Sequence, residues 1–136
     1  MVRPIVQDPL FLAGKSEMAA KEDLPVAIDL IDTLKANLDR CVGLAANMIG
    51  QRKRIIAICS GPIIVAMLNP IILSKSGEYD TEEGCLSLPG VRKTKRYNTI
   101  RISWTDTSMK NHVDTLTGFQ AQIVQHEIDH CDGILI

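Results

Sequence analysis

The chain is poor in aromatic residues, with one Trp, two Tyr and two Phe among 136 residues, and its net charge is only −1 at neutral pH. A nucleic-acid surface needs a basic stripe interleaved with stacking rings, so direct nucleic-acid binding is not expected. The short basic run Arg92, Lys93, Lys95 and Arg96 reads instead as a solvated turn. Long apolar runs are also missing: the stretch from Pro62 to Leu73 is broken by Pro and Asn and is too short to cross a bilayer. No membrane association and a cytoplasmic location are therefore expected. Four cysteines without dense spacing exclude a disulfide framework and suit a reducing compartment. There is no internal repeat and no low-complexity segment. A chain of this length buries roughly two-thirds of its unfolded surface, enough for one core, so a single domain over residues 1–136 is expected.

What is present is patterned. Residues 1–22 read as an irregular arm. Asp23-Leu24-Pro25 opens a helix whose apolar positions Val26, Leu30, Ile31, Leu34 and Leu38 recur every three to four residues. Arg54–Ser60 and Ile63–Leu73 are rich in Ile and Val and read as buried strands around Gly61-Pro62, with Ser74-Lys75-Ser76-Gly77 as a hairpin turn. Tyr97–Thr105 and Asn111–Leu116 suggest a second hairpin. A final helix is signalled by Thr117 and Gln120 as a capping box, by the stripe Phe119, Ile123, His126 and His130, and by Gly133 where it should stop. The expected class is α+β, with antiparallel sheets packed around a C-terminal metal-binding helix.

The final helix carries the chemistry. Gln125-His126-Glu127-Ile128-Asp129-His130 contains His-Glu-x-x-His, and residues four apart share one helical face. His126 and His130 can turn two imidazoles to one cation while Glu127 reaches a water beside it, which reads as metal-assisted hydrolysis. Phe119 and Ile123 lie on the same face one and two turns earlier; core packing is expected of them, and Ile123 is the candidate to line a substrate pocket.

A catalytic site of this type takes three protein ligands and keeps one position open. After His130 the sequence continues only as Cys131, Asp132, Gly133, Ile134, Leu135 and Ile136, so the third ligand is sought upstream, or in Asp132 by an awkward local fold. His112, Cys41, Cys59, Cys85 and several carboxylates are candidates. Cys85 stands out because Gly84, Pro89 and Gly90 place it in an irregular turn, although a free cysteine is more often a small buried apolar residue. Cys41, Cys59 and Cys131 suit that second role, and His112 suits a solvated hairpin.

Three ordered segments, Gly43-Leu44-Ala45-Ala46-Asn47-Met48-Ile49-Gly50, Glu83-Gly84-Cys85-Leu86-Ser87 and Gln125-His126-Glu127-Ile128-Asp129-His130, resemble the three motifs of the peptide deformylases. The resemblance implies a Cys85–His126–His130 site for one divalent metal ion, ferrous iron in the cell with zinc or nickel as substitutes. It implies Glu127 as general acid/base and the Leu86 N–H as a donor to the formyl oxygen, with Gly43, Met48 and Ile123 facing the substrate. The implied activity is removal of the formyl group from N-formylmethionyl peptides or nascent chains, with ribosome association allowed. Glu83 and Asp129 are candidates to orient the ligands, and Arg92 to orient the cysteine loop; no role is carried onto Arg96, whose spacing is imperfect.

Met48 departs from the pattern. The family's first motif has glutamine there, whose amide helps hold the oxyanion, and a thioether has no N–H to give. Losing one such donor typically costs about a hundred- to a thousandfold in turnover. Asn47, Gln51 or a water are the candidate substitutes. The alternative reading is a catalytically weak metal-binding homologue that binds formylated or N-terminal peptides. A general His-Glu-x-x-His metalloprotease is a third reading, against which the absent downstream ligand argues.

Overall fold

The N-terminal arm is not wholly irregular in the computed structural model, which describes residues 1–136. Helix α1 (Pro9–Leu12) is a single turn begun by Asp8, whose side chain accepts from the Leu10 N–H at 3.0 Å, with proline at the first helical position. Leu12 on it is fully buried and anchors the arm to the core. A 3₁₀ turn at Lys21–Asp23 then leads into α2 (Leu24–Ala36). Of the predicted apolar stripe, Leu30 and Leu34 are buried and Val26 and Ile31 half-buried, with Ala27 buried beside them, but the helix ends at Ala36, so Leu38 falls beyond it.

Five strands follow in one antiparallel sheet whose spatial order is the chain order: β1 (Gly43–Ala45), β2 (Ile55–Ser60), β3 (Ile63–Cys85), β4 (Leu88–Thr105) and β5 (Asn111–Thr117). Helix α3 (Gly118–Cys131) closes the fold. Both α2 and α3 pack on β2, which explains why Ile55, Ile56, Ala57 and Ile58 are all buried instead of alternating. These residues join Leu30, Leu34, Leu44, Ile100 and Ile102 in one cluster of 25 buried side chains.

Three expectations are corrected. Ser74–Gly77 is not a turn: β3 runs straight through it, pairing Lys75 with Ile100 and Ser76 with Thr99. The polar residues there are a solvent-facing ladder, and position 77 needs glycine because its φ is 75° and a Cβ would sit 3.1 Å from the Asn98 Cβ. Arg92–Arg96 is likewise strand, not solvated turn, with Lys93 opposite Glu82 and Lys95 opposite Asp80. Thr117 does occupy the N-cap of α3, but its side chain makes no capping bond, and the Gln120 amide donates to Ser60 Oγ at 3.0 Å instead.

Candidate metal centre

Helix α3 is buried on nearly every side from Ile123 to Ile128, and again at His130 and Cys131, although its sequence is polar. Its polar side chains are therefore all asked to find partners. Gln125 clips the helix to β4: its Oε1 accepts from the Tyr97 N–H at 2.9 Å and its Nε2 donates to the Tyr97 carbonyl at 2.8 Å. At the other end Arg54 Nη1 meets Asp132 Oδ1 at 2.8 Å, and the helix stops before Gly133, as expected. The helix axis and rotation are thus fixed, and with them the side that His126 and His130 present.

Cys85 reaches that side from the tip of the β3–β4 hairpin. Leu86 and Ser87 make a two-residue turn between Cys85 and its partner Leu88, and Pro89-Gly90 bulge out before pairing resumes at Gly84–Val91. The sulfur lies 3.4 Å from His130 Nε2, which lies 3.0 Å from His126 Nε2, and the three donor atoms are all within 4.8 Å of one another. Of the upstream candidates, only Cys85 joins the two histidines in such a group. Bond lengths of about 2.0–2.1 Å to nitrogen and about 2.3 Å to sulfur imply tetrahedral edges of roughly 3.3 Å and 3.6 Å, so the observed separations fit a first-row divalent cation. Two ring nitrogens aimed at each other across 3.0 Å also need a proton or a cation between them. The Ser87 N–H donates toward the sulfur from 3.4 Å.

Behind the imidazoles stands a layer the sequence reading only partly found. Glu83 accepts from His126 Nδ1 at 2.8 Å, which fixes the tautomer and turns Nε2 toward Cys85 and His130. The same carboxylate takes Arg96 Nη2 at 2.7 Å and Nε at 3.0 Å, and Gln122 Nε2 at 2.9 Å. Arg96 then gives Nη1 to Asp129 Oδ2 at 2.7 Å. Asp129 is therefore a working ion-pair partner, and Arg96, 4% exposed, is a central member of the network. A cue was present: Arg96 shares the period-two face of β4 with Ile100 and Ile102, both fully buried. Arg92 pairs across the strands with Glu83 but hydrogen-bonds to neither Glu83 nor the cysteine turn.

The network sets the charges. Burial alone would raise the Glu83 carboxyl, but hydrogen bonds from His126, Arg96 and Gln122 outweigh it and hold it at about 2. Burial lowers His126, yet Cys85 and Glu83 raise it further, to about 10. Burial, with the His126 and Arg96 charges, pushes His130 down to about 3, leaving a neutral ring. Burial lifts Glu127 to about 7, where it can take or release a proton near neutrality.

Glu127 is 4% exposed, with Oε1 unpartnered. It fits only because residue 43 is glycine, where a Cβ would meet Glu127 Oε2 at 2.9 Å and Ile123 Cγ2 at 2.8 Å. These residues line a cavity of about 1080 Å³, together with Met48, Leu86, Cys85 and His126. Ile123 is buried as expected; Phe119 is not, being 64% exposed at the cavity's edge. No backbone hydrogen bond outside the helices and strands uses the Leu86 N–H. Asn47 is fully buried and its amide is spent on the His130 carbonyl at 3.0 Å, while Gln51 is exposed and does not line the cavity. Cys41 lines the cavity as a half-buried thiol and Cys59 is a partly buried strand residue. Cys131 is buried, and His112 stacks on Trp104 at the far hairpin with Nε2 on Asp106, at 2.7 Å.

The family model for polypeptide deformylase matches residues 3–136. The chain belongs to that family. A peptide deformylase of Clostridium beijerinckii is 57% identical over the full length of both proteins. Peptide deformylase 1 of Clostridium perfringens is 44% identical over 79% of this chain and 74% of its own. Among solved structures, the peptide deformylase of Thermotoga maritima superposes with a TM-score of 0.89 at 30% identity, covering 99% of this chain and 95% of that one. A Met-Ala-Ser-bound peptide deformylase from Acinetobacter baumannii gives 0.88 at 28%, covering 99% and 97%. The expected α+β arrangement is thus the deformylase fold. Deformylases are metal-dependent hydrolases, and in this member Cys85, His126 and His130 form a group able to hold a divalent cation. No helix is long and apolar enough to cross a membrane.

Proposed function

We propose that this chain, acting as a single catalytic domain over residues 1–136, removes the formyl group from N-formylmethionyl peptides, with Cys85, His126 and His130 holding one divalent cation. The observation that carries the reading is the convergence of one sulfur and two Nε2 atoms within 4.8 Å, with Cys85, His126 and Glu127 lining one cavity and Glu127 Oε1 left unpartnered. A bound divalent cation would lower the pKa of a coordinated water from near 16 toward about 7 and polarise the formyl carbonyl. Glu127 accepts the proton of the attacking water and returns it to the departing amine, a role worth roughly a hundred- to ten-thousandfold. Leu86 donates its backbone N–H to the formyl oxygen, Gly43 leaves room for the substrate, and Met48 and Ile123 supply apolar wall, Ile123 beside the methionine side chain.

The thiolate offsets one of the cation's charges and makes the site softer than an all-imidazole one, which suits ferrous iron in the cell with zinc or nickel as replacements. The cytoplasm, reducing and supplied with nascent chains at the ribosome, is the matching location. The Acinetobacter baumannii relative carries Met-Ala-Ser, a peptide with an N-terminal methionine, which supports such a peptide in the equivalent cavity here. Met48 favours one competing reading, a peptide binder with little turnover. Protein loaded anaerobically with ferrous iron should release formate from formyl-Met-Ala-Ser, and Glu127→Gln should abolish the release while retaining the metal. Metal-replete protein that binds the peptide without releasing formate would establish the competing reading.

A further inference from the structure

We propose that Gln7, on the N-terminal arm, is a catalytic residue that supplies the side-chain N–H to the oxygen of the cleaved carbonyl which position 48 does not. The inference rests on the deformylase reading above. A carbonyl under attack gains negative charge on its oxygen, and the donors that stabilise it best are already aimed at the site before reaction. Leu86 offers one backbone donor. Met48, 1% exposed and part of the cavity wall, offers none.

The other donor side chains near the cavity are each at least partly engaged or sealed, the exposed Arg40 keeping free N–H groups beyond its Nη2. Asn47 has its amide on the His130 carbonyl. Gln122 lines the cavity, but its Nε2 is bonded to Glu83 Oε2 at 2.9 Å. Arg40 folds back onto Asn37 Oδ1 at the end of α2. The Ser87 hydroxyl has no partner, yet its oxygen is closed off from solvent and from anything occupying the cavity. Gln7 lines the same cavity as Met48, Cys85 and Glu127, is exposed, and its carboxamide has no partner in the protein.

Its backbone is held on both sides. Val6 N–H donates to the Met48 carbonyl at 2.8 Å, and Asp8 caps α1 through the Leu10 N–H at 3.0 Å. Residue 7 is thus tied within one residue of position 48, and an extended glutamine places its amide about 5 Å beyond its own Cα by standard bond lengths. From there the carboxamide would swing in toward the part of the cavity wall that a glutamine at position 48 would have occupied. Because a free glutamine side chain gives up rotamer entropy when it engages, its effect should be smaller than that of a rigid donor.

Four proteins test this: the parent, Gln7→Ala, Met48→Gln and the double variant, compared in kcat and KM on formyl-Met-Ala-Ser. Gln7→Ala should lower kcat about tenfold with KM within about twofold, below the hundred- to thousandfold typical of a rigid donor. Gln7→Glu, which replaces the donor with a negative charge, should fall further. Met48→Gln should raise kcat, and in its background Gln7→Ala should cost less than about threefold. Thermal unfolding and the visible spectrum of cobalt-loaded protein should be the same in parent and Gln7→Ala, which separates loss of a donor from damage to the arm or metal site. Should Met48→Gln not fold, the kcat-against-KM split of the two Gln7 variants decides alone. An active parent with unchanged kcat in Gln7→Ala, a loss confined to KM, or an equal loss in both backgrounds overturns the role of Gln7 and leaves the deformylase reading standing. No formate from any of the proteins overturns both.

Discussion

Replacing Glu83 by glutamine keeps the side chain's shape and removes its charge, so it isolates what that charge does for the metal site. The parent carboxylate, 8% exposed, receives the Arg96 fork, Gln122 Nε2 and His126 Nδ1. Two effects are expected. His126 loses an anionic partner behind the ring, and such losses weaken metal binding about 10- to 100-fold, or about 1.4–2.7 kcal/mol. Arg96 is left buried with Asp129 as its sole anion, and breaking one side of a buried pair costs about 3–5 kcal/mol. Since glutamine still accepts one hydrogen bond, the lower end, about 3 kcal/mol, is expected in metal-free protein, a fall in Tm of roughly 10 °C for a chain of this size. The pH dependence identifies the cause. Glu83 is depressed from its ordinary 4.5 to about 2, so the stability it contributes is complete above pH 4.5 and is lost as pH falls toward about 2. Urea unfolding of metal-free parent and variant should therefore diverge above about pH 5 and converge near pH 2, and chelator competition with cobalt should show the weakened binding. A stability difference that stays constant across that range, or cobalt affinity within twofold of the parent, would refute the assignment of this role to the carboxylate charge.

Gly43→Ala should drive Glu127 and Ile123 apart from their present positions, because the new Cβ would lie under 3 Å from both; kcat should fall about a hundredfold while metal content holds, as checked by formate release and metal analysis. Gly77→Ala tests the continuous strand: with φ at 75° and Asn98 close by, it should cost about 1–2 kcal/mol in urea unfolding, whereas a substitution in an open turn without positive φ would cost almost nothing. Loading the metal-free protein with zinc near pH 8 should release protons into an indicator dye, since His126, raised to about 10, carries a proton at Nε2 or shares one there that the cation must displace; loading without release would contradict the charge state described.

The parts of the fold legible in the sequence are those whose periodicity reports burial directly. Helix α2 follows its three-to-four spacing, β2 follows its Ile-rich run, and the β4–β5 hairpin follows its alternation. The hidden part is the far half of β3. A strand whose outer face meets only water carries Ser, Lys and Gly as readily as a turn does, and nothing local separates the two; pairing with β4 does. Arg96 was concealed for the opposite reason. Lys93 and Lys95 beside it are exposed, so the run reads as a solvated charge cluster, while strand alternation sends Arg96 inward to Glu83 and Asp129.

The metal group shows why spacing reaches only so far. His126 and His130 converge because a helix repeats, a local rule that four residues suffice to express. Cys85 converges on them because the β3–β4 hairpin ends over α3, which depends on every register position along two long strands and on the Gln125 clip to Tyr97. Among four cysteines the one local cue was the turn made by Gly84, Pro89 and Gly90, which set Cys85 apart without deciding between a ligand and a small buried apolar residue. The same distinction bears on Met48. The sequence displays the missing amide at position 48, and it directs the eye to neighbours in the chain, Asn47 and Gln51, which the fold turns elsewhere. The candidate that remains free in the cavity, Gln7, belongs to a segment distant in sequence that is tied to position 48 by a backbone hydrogen bond from Val6. If the Gln7 variants behave as expected, a donor lost from the wall of the site has been recovered from the arm laid across it, and substitutions at positions 7 and 48 must be non-additive, whereas two donors acting on unrelated parts of the substrate would add.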